Sequence, residues 1–177
     1  MKTKIELVKE FVFQKPEEWV HIREIARNLK ISPNTVRNVI EKLLKEEIVE
    51  NKKSANLFQI RANFENESYK TEKKIFNLLK IYESGIINYL YDYYSPSTII
   101  LFGSYSRGED LSTSDIDIGI ITPKKNQPEL KNFEKKLKRK VNLSLFVKKE
   151  VSEEFFTNII NGIVLKGVLK WKSLNFI

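Results

Sequence analysis

The stretch from 98 to 121 constrains the fold most tightly, because it joins an apolar run, a glycine turn and two acids at a fixed spacing. Residues 98–102 (TIILF) form a continuous apolar run, which is typical of a buried strand. Gly103 follows directly and permits a sharp turn and a close backbone approach to a ligand. Ten residues separate Ser104 from Asp115. The segment therefore predicts a strand that ends in a tight turn near a pair of acids.

Asp115 and Asp117 alternate with Ile116 and Ile118, which is the period of a strand. Residues i and i+2 of a strand point to the same face, so the two carboxylates are predicted to lie side by side while the isoleucines face the core. Adjacent carboxylates repel each other unless a cation lies between them. Hard divalent metal ions bound through oxygen suit this arrangement. We predict that Asp115 and Asp117 are metal ligands and catalytic residues.

The residues around Ser104 are suited to phosphate. Ser104 is expected at the start of a short helix, where free backbone N–H groups favour an anion. Arg107 is one of two arginines within residues 66–177 and can neutralise a phosphate. Gly103, Ser104 and Arg107 are therefore the predicted nucleotide-binding residues. With the two acids they make a triphosphate–metal site, which is suited to phosphoryl or nucleotidyl transfer with Mg²⁺.

This pattern resembles the DNA polymerase β-like nucleotidyltransferase superfamily, and most closely its minimal nucleotidyltransferases. The family pattern is an apolar residue, Gly-Ser, a spacer of this length and Asp-apolar-Asp, and Arg107-Gly108 and Ser114 fit the minimal branch. The resemblance implies transfer of a nucleotide from a nucleoside triphosphate to an acceptor hydroxyl, with release of pyrophosphate. An active enzyme would use two Mg²⁺ ions as cofactors. The resemblance also implies a small mixed sheet flanked by helices, in an α+β fold.

One position departs from the family pattern. Most active members carry a third carboxylate on a later strand, but the matching segment 141–145 holds Asn142 and Ser144, and Glu150 lies beyond it. Asparagine is neutral and a poor base, and losing a general base lowers a rate by about 10²- to 10⁴-fold. Three readings stay open: an enzyme, a catalytically impaired DNA-binding regulator that binds nucleotide or a protein partner, and an interaction module with neither activity.

The first 60 residues have the pattern of helices followed by a hairpin. Ser32 is a good N-cap and Pro33 suits the first helical position. The apolar residues of the following helix recur at helical spacing: Val36, Val39, Ile40, Leu43 and Leu44. Two short strands are predicted around the polar segment 51–56. Residues 5–60 therefore resemble a winged helix-turn-helix domain.

A winged helix would place polar residues of its second motif helix in the major groove of double-stranded DNA. The predicted DNA-binding residues are Asn34, Thr35, Arg37, Asn38 and Lys42 on this helix, and Lys52 and Lys53 at the tip of the wing. The alternative is a small packing, dimerisation or protein-binding module. Residues 1–65 carry a net charge of only +3, which is a modest charge for a DNA-binding unit.

We predict a winged helix-turn-helix domain at 1–62 and a nucleotidyltransferase-like domain at 70–177, separated by the polar stretch 62–68. The second domain is expected to begin with one long helix from 71 to 94 that Ser95-Pro96 ends. Residues 163–171 are apolar and fit either a strand or a helix. The basic residues between 131 and 140 form either a solvated helix face or a surface for the acceptor or a nucleic acid.

Composition excludes several classes of site. The chain has no cysteine, which excludes disulfides, thiolate metal sites and a cysteine nucleophile. It has a single histidine, His21. The net charge of +8 is compatible with a polyanionic partner. No apolar run approaches the roughly 18 residues of a membrane span, and the charged N-terminus does not resemble a signal peptide, so a cytoplasmic location without membrane contact is expected.

Two further expectations concern partners. Minimal members of the family often pair with a helical HEPN-type protein as antitoxins, so the resemblance implies such a partner and an antitoxin-like role. Winged-helix regulators usually bind DNA as dimers, so a homodimer is also an open arrangement.

Overall fold

The computed structural model describes residues 2–54, 57–95, 97–147 and 152–169, without the side chains of 53, 54 and 57. The chain forms two compact units, Met1–Phe76 and Asn77–Ile177, here called the N-terminal and C-terminal units. Each unit combines helices with a small sheet, so the predicted α+β class is confirmed. The predicted domain bounds, 1–62 and 70–177, stay a prediction.

The N-terminal unit contains three helices, a three-stranded sheet and the first part of a fourth helix. In chain order these are α1 (Lys4–Gln14), β1 (Val20–His21), α2 (Ile22–Leu29), α3 (Pro33–Lys45), β2 (Val49–Ser54), β3 (Leu57–Ala62) and α4 (Glu67–Ser84). The strands are antiparallel in the order β1-β3-β2. β2 and β3 form a hairpin in which Val49 lies opposite Ala62.

Local sequence explains where the first helices begin. Thr3 and Glu6 cap α1 reciprocally, each side chain bonding the other's backbone N–H. The Ser32 side chain accepts a hydrogen bond from the Thr35 N–H, and Pro33 is the first residue of α3, as predicted. The apolar faces of the three helices pack on the sheet in one core, whose fully buried members include Val8, Phe13, Ile25, Val36, Ile40, Leu43 and Ile60.

The C-terminal unit is built on one mixed sheet. After α4 come α5 (Ile86–Tyr94), β4 (Thr98–Phe102), α6 (Gly103–Arg107), β5 (Ile116–Ile121), α7 (Lys131–Leu137), β6 (Val141–Phe146), α8 (Glu153–Ile160) and β7 (Ile163–Lys166). The strand order is β6-β5-β4-β7. β5 and β6 are parallel, whereas β4 is antiparallel to both of its neighbours.

The predicted single helix from 71 to 94 is wrong. The structure has two helices, α4 and α5, separated at Gly85. Gly85 has φ +82°, which a glycine adopts without the steric strain of a side chain, and the Ser84 hydroxyl accepts a hydrogen bond from the Ile86 N–H. The segment from 163 forms strand β7 up to Lys166, and residues 170 and 171 fall outside the described part of the chain.

The two faces of the C-terminal sheet differ in what they bury. Alternate strand residues point to one apolar core together with α5, and this core includes Ile99, Leu101, Ile116, Ile118, Ile120, Val141, Ile86 and Leu90. The opposite face carries Asp117 on β5, which is half-buried, and Asn142 on β6, which is exposed. This second face is called the polar face below.

Among the helices of the described ranges, none is both long enough and apolar enough to cross a bilayer.

Candidate functional site

Three neighbouring strands bring the candidate residues into one row. Phe102 at the end of β4 lies opposite Asp117 on β5, and Asp117 lies opposite Asn142 on β6. Asp115 comes two residues before Asp117, so strand alternation places both carboxylates on the polar face. The row lies where β4 ends and Gly103 begins α6.

The Asn142 amide contacts both carboxylates. Its Nδ2 donates to Asp115 Oδ2 at 3.2 Å and to Asp117 Oδ1 at 3.3 Å. One polar atom thus lies within hydrogen-bonding distance of an oxygen from each acid. The structure therefore brings together the two acids predicted as metal ligands, and it adds Asn142 to them.

Gly103 lies against Asp117. Its φ is +73°, and a Cβ built on Gly103 would lie 2.5 Å from Asp117 Oδ2, a distance that real Cβ atoms essentially never show. Both the backbone conformation and the lack of space therefore require glycine here. The five-residue helix α6 begins at this residue and ends at Gly108, which has φ +75°. Ser104, in the first turn of α6, is half-buried.

Arg107 lies at the surface. Its Nε donates to Glu109 Oε2 at 2.6 Å, and both side chains are well exposed. An exposed ion pair of this kind is weak, so a phosphate can compete with Glu109 for the guanidinium. The predicted phosphate contact of Arg107 stays a prediction.

A buried polar network supports the loop that leads to Asp115. The Asp110 side chain is fully buried, and Arg139 Nη2 donates to its Oδ2 at 3.3 Å. Arg139 Nη1 donates to the carbonyl oxygens of Leu111 and Ser114, the latter at 3.3 Å. Ser114 immediately precedes Asp115, so these bonds fix the backbone that places the first acid.

Asn77 of α4 completes this network from the other side. Its Nδ2 donates to Asp110 Oδ1 at 2.6 Å and to the carbonyl oxygen of Tyr105 in α6 at 2.9 Å. Burial raises the pKa of Tyr105 well above its ordinary value, and the negative charge of Asp110 raises it further. α6 and the loop after it are thus tied to one buried carboxylate.

Sequence reasoning missed this network. The sequence pattern groups Arg139 with its lysine neighbours, but in the structure Arg139 bonds the buried carboxylate of Asp110. The available signal was the residue type, because arginine is the residue that suits a buried, multiply hydrogen-bonded ion pair. Lys131, Lys135 and Lys140 are exposed, and Lys136 bonds the Ser84 carbonyl oxygen at 3.4 Å. The two readings of this basic segment both stay open.

The donor set fits a divalent cation. Asp115 and Asp117 offer hard carboxylate oxygens on two sides of the Asn142 Nδ2 atom. Asn142 can offer its amide oxygen if the amide group rotates by half a turn. Within the described ranges, no three or more Asp, Glu, His or Cys side chains form a cluster that could hold a metal. Glu150 falls outside those ranges. The acidic part of the site therefore consists of two carboxylates in the part of the chain that is described.

The polar residues of α3 in the N-terminal unit lie on its outer side. Asn34, Arg37, Asn38 and Lys42 are exposed, while the helix buries Val36, Val39, Ile40 and Leu43. Thr35 is half-buried, and its hydroxyl lies 2.8 Å from the Ser32 hydroxyl. Four of the five predicted α3 residues thus form one exposed polar surface.

Lys52 is not at the tip of the hairpin. β2 continues to Ser54, so Lys52 is within the strand, and its Nζ lies 4.2 Å from the centre of the Trp19 ring. The Arg61 guanidinium lies 4.7 Å from the same ring. The sequence predicts the turn too early because 51–56 is polar apart from Ala55. Residues on the outer face of a hairpin are also polar, so polarity alone does not mark where the strand ends. The side chain of Lys53 is outside the described atoms.

Comparison with family models gives a match in the C-terminal unit. Residues 83–165 match the family model of the nucleotidyltransferase domain. The match covers just under half of the chain and includes every predicted site residue of the C-terminal unit, from Gly103 to Asp117, as well as Asn142. It supports the nucleotidyltransferase superfamily and a general role in nucleotidyl transfer. No curated protein and no solved structure matches the chain.

Proposed function

We propose that the C-terminal unit is a Mg²⁺-dependent nucleotidyltransferase that moves a nucleotide from a nucleoside triphosphate to an acceptor hydroxyl. The observation that carries this proposal is the meeting of Asp115 and Asp117 at one point on the polar face, with Gly103 packed against Asp117. A carboxylate pair beside a glycine turn can hold a cation and admit a phosphate backbone at the same place.

Each site residue has a part in this reaction. Gly103 and Ser104 bind the triphosphate, and Asp115 and Asp117 hold Mg²⁺, which when bound neutralises charge on the phosphates, and Arg107 bonds a phosphate oxygen. The acceptor oxygen forms a bond to the α-phosphorus, the bond to the bridging oxygen breaks, and pyrophosphate leaves. The acceptor hydroxyl must also lose a proton, and the Asn142 amide is too weakly basic to take it. The proton therefore passes to solvent water, which reaches the exposed side of the site at Asn142.

A second candidate function follows from Asn142. Its amide bonds both acids at a position where the family resemblance implies a third carboxylate. A site with two acids can bind a nucleotide and a cation and still turn over slowly, because the general base is missing. The C-terminal unit would then be a nucleotide-binding sensor in a DNA-binding regulator.

Calorimetric titration of Mg²⁺-ATP and Mg²⁺-GTP tests both candidates. The matched control is the double variant Asp115→Ala/Asp117→Ala. Binding that is lost in the variant supports a working nucleotide–metal site, and the absence of binding to either protein contradicts both candidates. Pyrophosphate release is then followed for the wild type and for Asn142→Asp. Release by the wild type supports the enzyme, whereas release by Asn142→Asp alone supports the regulator.

For the N-terminal unit we propose binding to double-stranded DNA as a winged helix-turn-helix domain. The order of its elements, helix–strand–helix–helix–strand–strand, and the exposed polar surface of α3 support this proposal. Arg37 can bond guanine and Asn38 can bond adenine in the major groove, while Lys42 suits a phosphate.

Fluorescence anisotropy of a labelled duplex at increasing salt tests DNA binding. Each phosphate contact contributes about −0.9 to the slope of log K against log salt, so Lys42→Ala should flatten the slope by about 1. Lys15→Ala, at the end of α1 and paired with Glu18, is the matched control. A wild-type affinity that does not respond to salt would favour the interaction module.

The antitoxin-like role and the HEPN-type partner are proposals that the family resemblance supports. Sedimentation velocity of the chain alone and with a HEPN-type protein tests the partner, and the first of these runs also tests the proposed homodimer. A chain that sediments unchanged in the mixture contradicts the partner, and a chain that sediments as a monomer contradicts the homodimer.

A further inference from the structure

The polar face becomes aromatic two residues beyond Asp117. Gly119 follows Asp117 on the same face of β5, and the half-buried rings of Phe102 and Phe146 lie beside it. The half-buried Phe155 ring contacts both of these rings. The Phe155 ring stands nearly perpendicular to the other two, with centroid distances of 5.7 Å to Phe102 and 5.3 Å to Phe146. These three residues are called the aromatic wall below.

Gly119 allows α8 to approach the sheet at this point. A Cβ on Gly119 would lie 2.6 Å from the Ile159 side chain and 3.2 Å from Phe146. Ile159 is buried, so α8 covers the sheet beyond Gly119, while Asp117 and Asn142 are left accessible. Phe155 is one turn before Ile159 on α8, at the border between the covered and the open parts of the face.

The wall and the carboxylates are therefore neighbours on a single face. Phe102 lies directly opposite Asp117 and also lines the space around Gly119. Two residues along a strand span about 7 Å. A nucleotide has the same division, with charged phosphates at one end and an apolar ring system at the other.

We propose that the aromatic wall binds the base of the nucleotide, with Phe155 as the main contact and with purines preferred over pyrimidines. This proposal rests on the proposed nucleotide site and adds the part of the ligand that the carboxylates do not recognise. Three half-buried rings keep some ring surface open for a flat partner, and stacking favours the larger ring of a purine. Phe155 is then a binding residue that sets which nucleotide is used.

Calorimetry with two ligands separates the base contact from the phosphate contact. Mg²⁺-ATP carries both parts, while Mg²⁺-tripolyphosphate carries only the charged part. The variants are Phe155→Leu, which keeps an apolar side chain against α8 and the sheet, and Phe155→Ala. Phe156→Leu, the adjacent half-buried residue on the same helix, is the matched control, and thermal melting checks that each variant is folded.

The expected result is a loss of about 5- to 100-fold in ATP affinity for the Phe155 variants, since base–aromatic stacking contributes on this scale. Tripolyphosphate affinity should stay unchanged, and the wild-type preference for ATP over UTP should disappear. Equal affinities of the folded Phe155→Leu variant and the wild type for ATP would overturn the proposal. A wild type that binds neither ligand would instead overturn the proposed nucleotide site, and this proposal with it.

Discussion

Asn142 lies directly opposite Asp117 on the neighbouring parallel strand, and its amide nitrogen donates to the carboxylate of Asp117 at 3.3 Å. The same nitrogen reaches Asp115 at 3.2 Å. A neutral donor thus stands between two like charges and reduces their repulsion without a cation. This relationship explains how two like charges can lie side by side here, and it makes residue 142 the most informative position to change.

Asn142→Asp should make the stability of the C-terminal unit depend on divalent cations. The substitution removes two charge-assisted hydrogen bonds and adds a third carboxylate, so in the absence of metal we expect the free energy of unfolding to fall by about 1–2 kcal/mol, allowing for the exposure of the site. Mg²⁺ should restore this loss and should bind more tightly than to the wild type, since three acids attract it. Thermal melts and calorimetry with and without Mg²⁺ measure both effects.

Asn142→Ala is the control for this experiment. It removes the same hydrogen bonds without adding charge, so Mg²⁺ should stabilise it less than it stabilises Asn142→Asp. Equal Mg²⁺ responses in the two variants would show that residue 142 does not lie beside the bound cation.

Gly103→Ala should abolish Mg²⁺-nucleotide binding. The new Cβ would meet Asp117 Oδ2 at 2.5 Å, so either the carboxylate or the start of α6 must move. Alanine at this positive φ also strains the backbone by about 1–2 kcal/mol. The two effects are separated by Gly85→Ala, because Gly85 has a similar φ of +82° and a Cβ there would meet nothing within 4 Å.

The two glycine variants should therefore melt at similarly reduced temperatures, while only Gly103→Ala loses the ligand. Calorimetry with Mg²⁺-ATP makes the comparison. If both variants bind as tightly as the wild type, the close approach of Gly103 to Asp117 has no part in the site.

Much of the C-terminal site was readable in the sequence, because it depends on local rules. The two-residue period put Asp115 and Asp117 on one face, and the apolar run before Gly103 gave the strand that ends there. Features set by tertiary contacts were not readable. No local pattern shows that Phe155 would reach β4 and β6, or that Asn142 would bridge both acids. The separation of α4 from α5 was only partly readable. Gly85 indicates the end of a helix, but the apolar residues keep their helical spacing across it.

Arg139→Met should destabilise the C-terminal unit strongly. The substitution removes the Arg139 guanidinium from the buried Asp110 carboxylate, and removing one member of a buried ion pair lowers stability by about 3–5 kcal/mol. Urea denaturation measures the change, and Lys135→Met, an exposed position in the same basic segment, should change stability by less than about 0.5 kcal/mol. Equal stability of the two variants would contradict a supporting role for the Arg139 network.

Tyr94 should make the C-terminal unit less stable at alkaline pH. Its side chain is buried and donates to the Asn126 carbonyl oxygen at 2.7 Å, and burial, with a smaller contribution from Tyr93, raises its pKa from 10.0 to about 12. Below pH 10 the folded and unfolded chains both hold the proton, so the stabilisation is complete. Between pH 10 and 12 the unfolded chain releases the proton and the folded chain keeps it, so stability falls as the pH rises.

Tyr94→Phe isolates this contribution. The variant should lose about 1 kcal/mol at neutral pH, because the hydrogen bond to Asn126 is gone, but its stability should then fall less steeply from pH 10 to pH 12. Urea denaturation at several pH values gives the slope, and Tyr82→Phe, whose ring is exposed, is the control for general alkaline effects. The three proteins share all their lysines and arginines, so only the difference in slope between Tyr94→Phe and the others reports on Tyr94. Identical slopes would show that the buried phenol does not govern the alkaline limit of the fold.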